Sequence, residues 1–513
     1  MKILLTYISG SSNRKDPYLN LLPAGLCSLH ACLRETGYDS CLCNFSAWSE
    51  AAIIKQLNLL QPDVIGISQW THNRHASTRL AKLIRRRLPD SLIIMGGGHA
   101  TFCYREVLGE ASPVDLVVLG EGESAVIEII KSLSIGKTWQ TTRGIAFRHD
   151  DQFVVNPSAP LLTDLDRLPF ASSYLSESLG IDIELQSEFI LTARGCPSSC
   201  YFCSSPGFWE RQVRFRSAEN IVDEILSIRD SLGLIYFSLR DDTFTADRSR
   251  AIRFCRLLIE RKAGILWNCQ SRVTALDEEL LVWMKRAGCE CIQLGVESGS
   301  QRILSMLGKK ITPAQVDETA GLIRKVGINL SIYLISDIPG ETEEDFQQTV
   351  ELIKRIRPDD GYVSPLAYYP GTRLFEEALA NGLVDSEIFV KSQEPALFVA
   401  EKPGRGSRRL LKVLAENAPT DNVRFEPQKL ILGYCYATNV LAGEWYRQSG
   451  NTSAAEKEFS EITLQEPNNP WGWYLLGELY NEMNKQGMAE RCYRKVLAIV
   501  PQHKPSRLGL TVK

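Results

Sequence analysis

The chain has 513 residues, 44% of them hydrophobic and 23% charged, with a formal net charge of -3. That length exceeds a single core and points to roughly three domains of about 100–200 residues, while the near-balanced charge leaves no basic footprint for nucleic acid. No apolar run of about 18 residues is present, and the opening MKILLTYISGSSNRKD turns polar too early for a signal peptide, so a cytoplasmic protein without a membrane span is expected.

From residue 1 to about 134, short apolar runs alternate with helical patterns. Strands are expected at 2–9, 40–45, 64–68, 92–95 and 116–119, and helices at 23–35, 51–60, 76–88 and 122–134. This is a five-stranded Rossmann-like unit, and ligands in such sheets bind beyond the carboxyl ends of the strands. Three of those ends carry notable loops: Ser68-Gln69-Trp70-Thr71-His72, Gly96-Gly97-Gly98-His99-Ala100-Thr101 and Gly120-Glu121-Gly122-Glu123. Glycines there let a bulky ligand approach the backbone. No G-x-G-x-x-G follows the first strand, which argues against a dinucleotide fingerprint. Glu121 and Glu123 read either as ligand contacts or as caps on the helix that begins near Gly122. The basic run at residues 85–87 suits the last turn of a helix. Cys41 and Cys43, like the other cysteines outside one central loop, read as buried small hydrophobes.

Residues 144–170 read as a strand pair and a proline-bounded connection. An apolar run at 189–193 then leads into the loop 194–206, RGCPSSCYFCSSP. Its thiols, Cys196, Cys200 and Cys203, are spaced C-x3-C-x2-C. Three ligands are one fewer than structural zinc or an electron-transfer cluster takes, so a four-iron cube held here keeps one iron open. Strands are expected at 234–239, 266–270, 291–295, 330–335 and 361–364, separated by helices such as 218–231 and 313–326. With the strand before the thiols this makes six βα units, a partial barrel with polar groups at its strand ends. Residues 401–407 read as a linker or surface loop.

Beyond it a self-match at a spacing of 34 appears: Gly443 with Gly477, Tyr446 with Tyr480, Ala455 with Ala489, Phe459 with Tyr493, Pro467 with Pro501. Trp473 and Leu476 complete the second copy. That is the tetratricopeptide period, read either as a docking surface for a peptide or carrier protein or as a helical cap that stabilises the rest. Two copies are fewer than a stable array needs, so a neighbouring face from an earlier helical pair or from the barrel is expected.

The thiol loop, with the aromatic Phe202 before its last cysteine, resembles the cluster loop of the radical S-adenosylmethionine (SAM) superfamily. Leu22-Pro23-Ala24-Gly25-Leu26, residues 62–68 (PDVIGIS) and the two glycine loops resemble the cobalamin-binding domain that precedes many of these enzymes, and residues 165–170 (LDRLPF) resemble the segment before their radical core. The resemblance spans residues 1–385. It implies a [4Fe-4S] cluster on Cys196, Cys200 and Cys203, whose open iron chelates SAM and splits it to a 5'-deoxyadenosyl radical. It implies SAM contacts from Phe202, from Asp241 and Asp242 at the methionyl amine, from Arg272 at the carboxylate, from Glu297 and Ser298 near the ribose, and from Gly340 in a PGET turn beside the adenine. Arg272 reads equally as a surface salt bridge. Asp337 stands where the family has glycine. Tyr368-Tyr369-Pro370-Gly371-Thr372 matches a PGT loop whose tyrosines line a cavity or pack structurally. Cobalamin contacts are implied for Ser68, Thr71, Gly97, Gly98, His99, Gly120 and Glu121. No D-x-H-x-x-G motif supplies a lower cobalt ligand, which leaves His72, His75 and His99 to be weighed against roles as backbone caps.

The resulting organisation is a Rossmann-like cobalamin-binding-type domain at 1–136, a connection at 137–184, the partial (βα)6 barrel at 185–385, a linker and helical extension at 386–435, and two repeats at 436–505. The expected activity is cobalamin-dependent methylation of an unactivated carbon. A non-methylating cyclase, oxidase or rearrangement enzyme is the alternative, and a tetratricopeptide scaffold or cofactor sensor the second. Expected partners are a small-molecule or carrier-bound substrate, an electron donor such as flavodoxin or ferredoxin, and a protein at the repeats. No residue is singled out as a catalytic acid or base. Methylthiolation is disfavoured because the amino-terminal cysteines lack the spacing for a second cluster.

Overall fold

The computed structural model describes residues 1–10, 17–420 and 425–511. Residues 11–16 of the polar opening stretch and 421–424 of the expected linker lie outside the described residues. Two compact units are formed: Met1–Ser187 with Pro197–Arg214 and Ala367–Phe398, and Glu188–Cys196 with Phe215–Leu366 and Val399–Lys513.

The first unit is built on β1 (Lys2–Tyr7), β2 (Asp39–Asn44), β3 (Val64–Ser68), β4 (Leu92–Gly96) and β5 (Leu116–Val118), joined through α1 (Ala24–Glu35), α2 (Glu50–Leu60), α3 (Arg74–Arg87) and α4 (Glu123–Ser134). These five strands are parallel. Alternation along β1 sends Ile3 and Leu5 into one core and Leu4 into the other, so both faces of the sheet are covered. The sheet has seven strands, not five, because β6 (Ile145–His149) and β7 (Gln152–Val155) add to it antiparallel, in the order β2-β1-β3-β4-β5-β6-β7. The strand pair expected from the sequence thus covers β5, which at three residues would otherwise be a bare edge.

In the second unit β8 (Phe189–Ile190), β9 (Tyr236–Leu239), β10 (Leu266–Ser271), β11 (Cys289–Glu297), β12 (Asn329–Ser336) and β13 (Asp360–Pro365) form one parallel sheet in sequential order. The intervening helices are α5 (Ala218–Leu232), α6 (Arg248–Glu260), α7 (Glu278–Arg286), α8 (Gln301–Met306), α9 (Pro313–Val326) and α10 (Glu343–Ile356). Period-2 alternation divides the strands. Phe237, Leu239, Trp267, Cys269, Ile292, Leu294, Ile332 and Leu334 join the buried core shared with the helices, while Ser238, Asn268, Gln270, Gln293 and Tyr333 occupy the other face. Ser217, Asp247, Asp277, Thr312 and Thr342 each cap the helix that follows them, which ends the preceding loop sharply.

The carboxyl-terminal residues form α11 (Arg405–Asn417), α12 (Phe425–Leu432), α13 (Tyr436–Gln448), α14 (Thr452–Gln465), α15 (Pro470–Glu482), α16 (Gln486–Ile499) and α17 (Lys504–Thr511). The 34-residue period has a physical counterpart: a Cβ on Gly443 would fall 2.2 Å from the Phe459 ring, and one on Gly477 would fall 2.6 Å from the Tyr493 ring. The barrel supplies the neighbouring face. At the turns that lead from helix into strand, Gly327 abuts Gln428, Gly288 abuts Tyr436, Gly264 abuts Asn469 and Pro470, and Gly233 abuts Gln502 and His503. The Tyr436 hydroxyl also donates to the Ile265 carbonyl at 2.5 Å. The helices therefore lie across the end of the barrel opposite its βα loops. Among the described residues no helix is long and apolar enough to cross a membrane.

Candidate functional site

In the first unit the three loops expected at strand ends are tied to one another. Gln69 N–H donates to the Gly96 carbonyl at 2.7 Å, its carbonyl accepts from His99 N–H at 3.2 Å, and Thr101 Oγ1 accepts from Gly120 N–H at 3.1 Å. Gly97 has φ +101°, and a Cβ there would sit 2.6 Å from the Gln69 carbonyl, so no side chain fits. Residues Gly98–Phe102 form a short helix where the sequence showed only a glycine loop. The Trp70 indole, 42% exposed, lies against Gly98, and nothing stands within 4 Å of a Cβ built on Gly120. Bare backbone beside an exposed indole is a surface that a flat macrocycle fits. Ser68 and Thr71 are buried beside it.

The candidate histidines are engaged by protein. Thr71 Oγ1 meets His99 Nδ1 at 3.2 Å, the Tyr7 hydroxyl meets His72 Nε2 at 2.9 Å, and the Ser392 carbonyl meets His75 Nε2 at 2.6 Å. Burial lowers the His99 pKa to about 3, so its ring is neutral. Glu121 is engaged by protein: its carboxylate, 7% exposed, pairs with Arg214 at 2.7 Å and accepts from Leu162 N–H at 2.9 Å. Glu123 accepts instead from the Ser28 hydroxyl at 2.7 Å.

The same unit includes Cys200, Phe202 and Cys203, all half-buried. Cys203 N–H donates to the Cys200 carbonyl at 3.3 Å, and Leu374 N–H donates to the Tyr201 carbonyl at 2.8 Å. Gly371 of the PGT loop is packed on the Phe102 ring at φ +74°. Of the two tyrosines before it, Tyr368 is buried and Tyr369 is 42% exposed.

In the second unit Cys196 follows β8, its Sγ 4.0 Å from Thr243 Oγ1. Asp241 is turned inward and does not offer its carboxylate to a ligand. At 1% exposure it accepts from the backbone N–H groups of Thr192 and Ala193 at 2.6 and 2.9 Å and from the Thr192 hydroxyl, with the buried Arg250 at 3.8 Å. It locks the end of β9 to the stretch that carries Cys196. Asp242 beside it is exposed. Arg272 is half-buried, and among the described residues its guanidinium has no carboxylate or carbonyl partner, so the salt-bridge reading does not hold. Glu297 follows a register shift in β11 and pairs with Lys309 at 2.7 Å, Gly295 leaving the space this pair occupies. Ser298 is 1% exposed, its hydroxyl 3.1 Å from Thr349 Oγ1, so it holds its loop rather than projecting from it. Gly340 lies in an open turn at φ +77°, its carbonyl accepting from Arg302 at 2.7 Å.

Asp337, at the family's glycine position, keeps a positive φ of 55°. Its carboxylate accepts from Gly404 and Gly406 N–H at 3.1 and 3.0 Å and from the Ser336 hydroxyl at 2.8 Å, capping α11. Glu341 is pushed up to about 7, first by burial and then by Asp345 and Asp337. Arg214, Arg250 and Lys309 were missed in the sequence; nothing local marks them, because each is defined by a partner on another element.

These residues suit the expected cofactors. The loop thiols are half-buried and outside any disulfide, the glycine cradle is bare, and an unanswered guanidinium stands at a strand end. The Radical SAM superfamily is matched over residues 190–353 and the B12 binding domain over residues 15–130. An uncharacterized methyltransferase of Pyrococcus horikoshii is 30% identical over 339 residues, 65% of this chain and 72% of the relative. An anaerobic magnesium-protoporphyrin IX monomethyl ester cyclase of Rubrivivax gelatinosus is 30% identical over 388 residues, 74% of this chain and 70% of the relative. The solved structure of the radical SAM methyltransferase TsrM from Kitasatospora setae, with cobalamin and a [4Fe-4S] cluster bound, shares the fold with a TM-score of 0.66 at 17% identity, over 89% of this chain and 99% of that one.

Proposed function

This chain belongs to the radical SAM superfamily with a B12 binding domain, and from that premise we propose that it is a cobalamin-dependent enzyme that methylates an unactivated carbon. When bound, a [4Fe-4S] cluster would supply one-electron reduction of SAM and cobalamin would supply the methyl group. Cys196, Cys200 and Cys203 would hold the cluster. Arg272 takes the methionyl carboxylate by charge-assisted hydrogen bonds, Asp242 faces the amine, and Gly340 keeps the adenine edge free of a side chain. Asp241 acts at one remove, fixing the strand end from which Cys196 leaves. Gly97, Gly98 and Trp70 would cradle the corrin, beside the His99 ring that Thr71 holds.

The observation that carries the reading is the three-thiol loop at the end of β8 together with the unpartnered guanidinium of Arg272. Anaerobic reconstitution with iron, sulfide and cobalamin, followed by reduction with SAM, tests it. Both 5'-deoxyadenosine and S-adenosylhomocysteine are expected, and Cys200→Ala should remove the cluster's visible absorbance and the cleavage together. Zinc at the thiols, or a cluster with four protein ligands, sinks the proposal. The cyclase among the relatives supports a second, non-methylating reading, which 5'-deoxyadenosine without S-adenosylhomocysteine would favour. The carboxyl-terminal helices are read as two tetratricopeptide-type hairpins, supported by the glycine-on-aromatic contact recurring after 34 residues.

A further inference from the structure

Two guanidinium groups stand at adjacent strand ends of the second unit, and the reading above uses only Arg272. The other is Arg240, the residue after β9. It is half-buried with its Cζ 4.8 Å from the centre of the Phe189 ring, and among the described residues no carboxylate or carbonyl accepts from it. A guanidinium keeps its charge at any working pH, and a desolvated cation without an acceptor is costly unless a ligand answers it.

Its surroundings define what would answer it. Leu239 pairs with Cys269, which sets Arg240 level with Gln270, and Gln270 pairs with Gln293. The Tyr333 hydroxyl donates to Gln293 Oε1 at 2.9 Å and accepts from Gln270 Nε2 at 3.5 Å. The Tyr333 ring is stacked on Tyr362, 5.2 Å between centres and 19° between planes. Tyr362 is 51% exposed although it lies on the inner side of β13, the outer side being filled by Leu414 against Gly361. Burial raises the Tyr333 pKa and the charge of Arg240 pulls against it, so the cation acts on this row. One inner surface therefore presents a cation resting on a ring, two amides and an accessible pair of stacked phenols.

We propose that Arg240 is the substrate-recognition residue: it binds an anionic group, carboxylate or phosphoryl, of a substrate whose flat unsaturated part lies on the Tyr333 and Tyr362 rings. This deepens the enzymatic reading and rests on it. Arg272, two positions beyond Gln270 along the chain, remains for the cofactor, so the two cations divide between two ligands.

The test uses the reconstituted full-length protein with SAM and paired probes: 2-naphthoate beside 2-naphthamide, and 2-naphthyl phosphate beside 2-naphthol. Probe and SAM binding are measured by equilibrium dialysis on the same samples. At least one anion is expected to bind about tenfold tighter than its neutral partner. Arg240→Gln should erase that preference and Arg240→Lys should keep part of it, both with SAM affinity unchanged. The pair that discriminates tells carboxylate from phosphoryl. Equal binding of anion and neutral probe, a preference that survives Arg240→Gln, or a loss of SAM affinity in that variant overturns the assignment. Failure of the wild-type protein to retain SAM would count against the enzymatic reading itself, a result separable from the others.

Discussion

Asp241 shows what one side chain can do without touching a ligand. Three hydrogen bonds gather on a carboxylate that is 1% exposed, beside an arginine that is itself buried. Asp241→Asn keeps one oxygen for the two N–H groups, which both reach Oδ1, but turns the other acceptor into a donor facing the Thr192 hydroxyl and the Arg250 guanidinium, and it strips Arg250 of its counter-charge. A loss of roughly 3 kcal/mol is expected from urea unfolding, at the lower end for a broken buried pair because Arg250 keeps its bonds to the Thr192 and Phe244 carbonyls. Glu341 works through pH. Its folded-state pKa of about 7 lies above the unfolded value of about 4.3, so the folded chain retains the proton and loses stability as pH rises between the two, with no further loss above. Glu341→Gln should therefore melt with the wild type near pH 4 and roughly 2–4 °C higher at pH 8. The glycines, the thiols and Arg272 were legible in the sequence because each is marked by its neighbours in the chain. The inward turn of Asp241 was not, since its partners Thr192 and Ala193 are 49 and 48 residues away.

At the level of elements, α11 is held by Asp337, a residue that departs from the family pattern. A non-glycine residue at φ +55° is strained, and Asp337 offsets the strain by accepting from the first amides of α11. Asp337→Ala loses the cap and keeps the strain, at an expected cost of about 1–2 kcal/mol; Asp337→Gly loses the cap but relieves the strain, and should cost less. Chemical denaturation of the two variants gives the ranking, and a reversed order would discard this account of the cap. Alternation and caps placed β3 at residues 64–68 as observed, because its pattern is short, apolar and bounded. The attachment of β6 and β7 to the sheet could not be read the same way. A strand pair announces itself by local pattern, whereas the edge it joins is chosen by tertiary contact.

On the scale of the molecule, the carboxyl-terminal helices are part of the second unit rather than an appendage. Their period was visible in the sequence because repetition needs no partner to be seen. Their seat on the barrel was hidden, since the four receiving glycines are spread from residue 233 to residue 327 and each looks like an ordinary helix ending. That seating has a consequence for how this chain can change. A Cβ on Gly288 would meet the Tyr436 hydroxyl at 2.1 Å, and one on Gly233 would meet the backbone of Gln502 at 2.3 Å, so neither turn can grow or gain a side chain without lifting the helices above it. A single alanine inserted at Gly288 is expected to abolish one cooperative thermal transition for barrel and helices. Length variation among descendants of this sequence is thereby steered to the opposite rim, where new chemistry can be tried without renegotiating the foundation.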